Sequence, residues 1–167
     1  MNIYVDTRQK AGKHRQKHAD RSRLGCELIP KKLEVGDYMA QGNDAVSVDT
    51  KQDIQELYTD VVRERARFTR EVRRAHRMGI HLWVLIEDAQ VKNMLDLERA
   101  SVRYGALSCR AIMERCIHLH KAYGTEFIFC SPDRVGEKIA ELLSQNKDRG
   151  EGGDYAEQNT QGKHLLQ

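Results

Sequence analysis

Hydrophobic and polar positions alternate in recognisable ways along most of this chain. "NIYVD" (2–6) sets Ile3 and Val5 on one side of an extended run that ends in Asp6, which predicts a strand. "CELIPKKL" (26–33) predicts a second strand, confined to an edge or bulge because Pro30 has no N–H to donate. "EVGDYMA" and "AVSVDTK" flank the turn-forming tetrad "QGND", so 34–51 predicts a β-hairpin. From 52 to 79, Ile54, Leu57, Val61, Phe68, Val72 and Ala75 recur at helical spacing, with Gly79 as C-cap. "IHLWVLIED" (80–88) is apolar almost throughout, the pattern of a central strand buried on both faces. Residues 91–104 are weakly helical, 105–124 predict a helix, 125–131 a strand, and 132–145 a helix opened by Ser131-Pro132. The order β, β-hairpin, α, β, α, β, α implies an α/β fold, a mixed sheet flanked by helices. Residues 146–167 are Gly-rich and polar and are expected to be a disordered tail after a single domain at 1–145.

No segment approaches the ~20 apolar residues of a membrane span, and the N-terminus lacks a signal peptide's apolar core. The chain is therefore expected to be soluble and intracellular, without a membrane partner. Cys26, Cys109, Cys116 and Cys130 form no CxxC pair, so they are expected to be free thiols. The histidines show no zinc spacing.

Net charge is only +3, but it is unevenly spread. Residues 8–23 carry seven basic side chains against Asp20 alone. Residues 63–77 carry seven arginines against Glu64 and Glu71. Two basic blocks in a nearly balanced chain point to a polyanionic partner. Arg63, Arg67, Arg70, Arg74 and Arg77, spaced 4, 3, 4 and 3, fall along one helical face. They are candidates for phosphate contacts that position DNA without reading its sequence; a solvated basic face is the alternative.

The hairpin carries candidate chemistry. Residues two apart on a strand share a face, so Asp49 and Lys51 project together and Thr50 turns away. Asp37 stands across the hairpin and Asp6 ends the first strand. Mg²⁺ takes hard oxygen ligands, often one or two carboxylates with substrate phosphate and water. A lysine beside it orients or helps deprotonate an attacking water and offsets charge on phosphorus oxygens. A solvated strand edge is the simpler account of Asp-x-Lys taken alone.

"IYVDTR", "LEVGDY", "VSVDTK", "RFTREVRR" and "LWVLIED", in that order, resemble the XPF-type structure-specific nuclease domain of the PD-(D/E)xK, restriction-endonuclease-like superfamily. The resemblance spans about 3–88 and continues more weakly through 105–145. It implies a restriction-endonuclease-like core and a Mg²⁺-dependent DNA endonuclease, with Mn²⁺ able to substitute. Asp37 and Asp49 would hold the metal, with the Thr50 carbonyl as a further ligand. Lys51 would be the catalytic lysine, and Asp6 and Arg8 would complete the site. Arg67 would lie near the active-site side of its helix, with Phe68 packed beneath.

The chain departs from the family pattern at four places. Asp49 replaces Glu, Thr50 replaces Arg, Gln9 replaces Glu, and Gln55 stands where an Asp is expected, with Asp53 nearby. The resemblance further implies branched or flapped DNA as substrate. It also implies a homodimer through the C-terminal helices, for which Leu107, Ile112, Ile117, Ile139 and Leu143 are candidates, or pairing with another DNA-binding protein. The alternative role is a non-catalytic DNA-binding subunit of a heterodimeric nuclease. The compact size suggests a phage or mobile-element member of the family, expected to be prokaryotic or phage-encoded and cytoplasmic.

Overall fold

The structure, a computed structural model, describes residues 1–8 and 26–145. All of the first basic block after Arg8 and the expected tail from Asn146 lie outside the described residues. Six strands form one mixed sheet in the order β2-β1-β3-β4-β5-β6. They are β1 (Asn2–Asp6), β2 (Glu27–Lys31), β3 (Tyr38–Ala40), β4 (Asn43–Lys51), β5 (His81–Glu87) and β6 (Glu126–Cys130). β1 runs parallel to β2 and antiparallel to β3, β3 runs antiparallel to β4, and β4, β5 and β6 are mutually parallel. Pro30 lies on the edge strand, opposite Val5, where its missing N–H breaks no outer ladder.

The helices are α1 (Ile54–Tyr58), α2 (Arg65–Arg77), α3 (Met94–Arg99), α4 (Ser101–Tyr104), α5 (Ala106–Tyr123) and α6 (Val135–Leu143). A π-helical turn at Thr59–Arg63 joins α1 to α2, and a 3-10 turn at Pro132–Arg134 precedes α6. The single helix expected over 52–79 is thus broken in its first half. The hairpin turn is also tighter than the tetrad implied: Asn43 already belongs to β4, leaving Gln41-Gly42 at the bend.

β5 is the spine of the molecule. Leu82, Val84 and Ile86 face a core shared with Leu57, Phe68, Val72, Ile112 and Leu119. Trp83 and Leu85 face the opposite core, closed by Val135, Ile139, Leu142 and Leu143. Period-2 alternation does the same sorting on β4: Val46 and Val48 go to the α6 side. The intervening Ser47, Asp49 and Lys51 therefore turn toward α1 and α2.

Of the candidate dimer positions, Ile112, Ile139 and Leu143 are buried within this chain, covering the sheet. Ile117 is exposed, and the side chain of Leu107 lies outside the described residues. Among the described residues all four cysteines are unbridged, and no helix is long and apolar enough to cross a membrane.

Candidate active site

The C-terminal end of β4, the loop before β3 and the cleft side of α2 enclose a cleft of about 1060 Å³. Asp6, Arg8, Asp37, Asp49, Thr50 and Lys51 all line it, as do Arg67, Arg70 and Arg74. Arg63 and Arg77 do not. Arg63 belongs to the π turn rather than to α2 and lies over the Tyr58 ring, 5.5 Å from its centroid. Arg77 is exposed in the last turn of α2. The five-arginine stripe assumed one unbroken helix, and the π turn ends that register before α2 begins.

Asp49 and Lys51 share a face as the strand period requires, and the Lys51 ammonium lies 2.6 Å from Asp49 Oδ2. Both are buried. The second partner of Lys51 was not visible in the motif: Asp60 Oδ2, from the π turn, lies 2.5 Å from the same ammonium. Asp60 is itself buried and is also clamped by the Arg67 guanidinium, which pairs with Glu64 at 2.6 Å. Phe68 packs beneath, its ring centroid 4.9 Å from Lys51 Nζ, a geometry in which the ring face attracts the cation. Burial alone would lower the affinity of Lys51 for its proton, but Asp49 and Asp60 outweigh it and hold the group above its ordinary range. A charged Lys51 has the position to orient a water and to offset negative charge, two of the roles expected of it.

Asp49 is the strained member. Burial pushes its carboxyl up to about 8, Lys51 pulls against that shift, and the charges of Asp37 and Glu71 add to it. Its Oδ2 touches the ammonium yet receives no well-aligned hydrogen bond. A buried carboxyl oxygen facing other carboxylates across an open cleft is a group that a hard divalent cation would ionise and hold. Asp37 and Asp49, with substrate phosphate and water, give the sparse donor set that Mg²⁺ accepts. Among the described residues no three acidic, histidine or cysteine side chains converge as a ready-made metal site.

Asp37 is not on a strand. It sits in the bend before β3, after Gly36 at φ 69°. Its amide donates to Val48 O at 2.8 Å, and its carbonyl accepts from Asp6 N at 2.9 Å, so the bend is tied to both β4 and β1. Asp37 Oδ2 accepts from Thr50 N at 2.9 Å and Thr50 Oγ1 at 2.7 Å. The Thr50 side chain, expected to turn away, instead helps aim the Asp37 carboxylate. Gly36 is needed twice over. Its φ is left-handed, and an added Cβ would lie 2.3 Å from Ser47 Oγ. The Gly36 amide also donates to Glu71 Oε1 at 3.2 Å, tying the bend to α2. Asp6 accepts from the Leu33 amide at 3.3 Å and pairs with Arg8 at 2.9 Å. Arg8 in turn donates to the Leu33 carbonyl. Asp6 and Arg8 thus form one wall of the cleft.

The profile of the ERCC4 domain matches residues 5–142. The chain belongs to the ERCC4-domain family. Among solved structures, XPF from Aeropyrum pernix matches this ERCC4 domain with a TM-score of 0.63 at 19% identity, covering 87% of this chain and 63% of that one. XPF from Aeropyrum pernix in complex with DNA matches with a TM-score of 0.59 at 21% identity, covering 85% and 62%. The core is thus the restriction-endonuclease-like α/β fold of the XPF nuclease domain. This ERCC4-domain chain spans about three fifths of the length of those two chains. Among curated protein sequences none matches it significantly.

Proposed function

We propose that this ERCC4-domain chain is a divalent-metal-dependent DNA endonuclease that hydrolyses phosphodiester bonds in branched or flapped DNA. The observation that carries the proposal is the buried Asp49–Lys51–Asp60 cluster opening into a cleft shared with Asp37 and flanked by arginines. Asp60 also bears on the non-catalytic alternative. The carboxylate expected at Gln55 is missing, yet a carboxylate from one helical turn further on reaches Lys51. A site that had lost its chemistry would have no reason to keep this buried three-charge arrangement, which is costly to hold without excellent geometry.

Asp37 and Asp49, with the Thr50 carbonyl, are the residues that would hold Mg²⁺, or Mn²⁺ in its place. When bound, the metal supplies Lewis-acid charge to the non-bridging phosphate oxygen. Thr50 keeps the Asp37 carboxylate turned to the cleft. The Lys51 ammonium, fixed between two carboxylates, orients the attacking water and offsets charge developing on the phosphoryl group. The attacking water gives up a proton to solvent as its oxygen bonds to phosphorus, the P–O bond to the leaving strand breaks, and the departing oxygen takes up a proton from solvent, so that protons balance. Arg67, Arg70 and Arg74 hold flanking phosphates, and Asp6 with Arg8 supports the opposite wall.

The test is incubation of the purified chain with labelled flap, fork, Holliday-junction, duplex and single-stranded DNA in Mg²⁺, Mn²⁺ or EDTA. Cleavage confined to metal and strongest on a branched substrate is expected. Binding without cleavage in either metal would replace this reading with that of a non-catalytic subunit.

A further inference from the structure

α2 carries arginines on two sides, and only one side faces the candidate active site. On the other side, where α2 lies against α5, Arg65, Thr69, Arg70, Arg73 and Arg115 line a second groove of about 320 Å³. No carboxylate lines it. Among the described residues none of these four arginines is in an ion pair, whereas Arg67, on the cleft side, has two carboxylate partners. Their contacts are with neutral groups. Arg115 donates to Val61 O and Thr69 Oγ1, each at 3.3 Å, and Arg73 donates to the Tyr123 hydroxyl at 2.7 Å. Four guanidinium groups gathered without a counter-charge repel one another, and a phosphate diester, which a guanidinium grips with paired hydrogen bonds, relieves that repulsion.

Arg70 connects the two sites, because it lines both the cleft and the groove. Helical spacing explains this. At 100° per residue, Arg67 and Arg74 lean to one flank of α2, Arg65, Thr69 and Arg73 lean to the other, and Arg70 stands on the outward crest between them. A helix with its side chains is about 10–12 Å across, so a linear duplex lying in the cleft keeps to one side of this ridge. A strand that reaches both sites has to part from its partner and cross the crest.

We infer that the α2–α5 groove is a second phosphate-backbone site that holds the arm of a branched DNA diverging from the scissile strand at α2. The inference rests on the reading of the cleft as a DNA-cleaving site, but it is tested separately, by binding without cleavage. Arg65 and Arg73 are exposed, so replacing them leaves the core intact; Arg115 is left in place because it holds the π turn. Wild type and R65A/R73A are titrated against a labelled fork and a linear duplex of equal length in EDTA, across a range of salt. Each lost phosphate contact removes roughly 0.9 from the slope of log affinity against log salt. The double variant is expected to bind the fork with a slope shallower by about 2, to bind the linear duplex unchanged, and to regain fork binding as R65K/R73K. An unchanged slope on the fork overturns the inference, and so does an equal loss on fork and duplex. Absence of cleavage by wild type in Mg²⁺ would defeat the nuclease reading and leave these binding results standing on their own.

Discussion

Replacing Asp49 with Asn is expected to stabilise the metal-free protein at neutral pH while abolishing its chemistry. An unfolded aspartate ionises near 3.8, whereas burial, reinforced by Asp37 and Glu71, keeps Asp49 protonated up to about 8. The folded state therefore holds a proton that the unfolded state releases. The stability contribution is complete below about pH 4 and is lost as pH rises through about 8. The maximal slope for one proton is about 1.4 kcal/mol per pH unit. The pull of Lys51 is already part of that shift, and water entering from the open cleft screens the buried charge further, so the net penalty near pH 7.5 is expected to be about 1–2 kcal/mol, well below the full slope. Asn fills the same volume without a titrating proton, and Lys51 keeps Asp60 as a partner at 2.5 Å. The D49N variant should thus melt roughly 3–6 °C above wild type near pH 7.5 and level with it near pH 4.5, followed through the fluorescence of buried Trp83. Saturating Mg²⁺ should close the gap by stabilising wild type alone. A D49N variant less stable than wild type at neutral pH, or a difference that does not change with pH, would refute the reasoning.

Three further outcomes follow from the same geometry. Lys51→Met removes the cation between Asp49 and Asp60 and should cost about 3 kcal/mol in urea unfolding. Losing one partner of a buried ion cluster leaves the others uncompensated, although Arg67 still holds Asp60. Gly36→Ala meets both a left-handed φ and a 2.3 Å approach to Ser47 Oγ. It should lower stability by about 2–3 kcal/mol and displace Asp37, read as a denaturation midpoint and a loss of cleavage together. R67A/R70A/R74A should make the salt dependence of DNA binding shallower by about 2–3 in slope, with the fold intact by circular dichroism.

Much of this fold is legible in the sequence because it rests on period. The unbroken apolar run of β5 announces a strand buried on both faces, and it is one. Alternation on β4 is enough to place Asp49 and Lys51 side by side. Pro30 marks an edge, and an edge strand carries it. What the sequence conceals is what packing decides. Ile54, Leu57 and Val61 fit an uninterrupted helix, so nothing in their spacing signals the π turn that swings Asp60 down onto Lys51. An acid beside that apolar stripe was the available hint. Asp37 reads as a strand residue because Val35 and Tyr38 surround it, but the Gly36 turn moves it into a bend where Thr50 aims it. The arginines of the α2–α5 groove are scattered as Arg65, Arg70, Arg73 and Arg115, and only the docking of α5 beside α2 gathers the last with the others.

The central claim is that Asp37, Asp49 and Lys51 form a metal-dependent hydrolytic site for DNA. Single-turnover cleavage of a labelled fork by wild type and Asp49→Ala, with Mg²⁺ and with EDTA, tests it most directly. Wild type is expected to cut in Mg²⁺ and not in EDTA, and the variant to lose at least about 100-fold while still binding the fork. Cutting that survives either EDTA or the loss of Asp49 would contradict it.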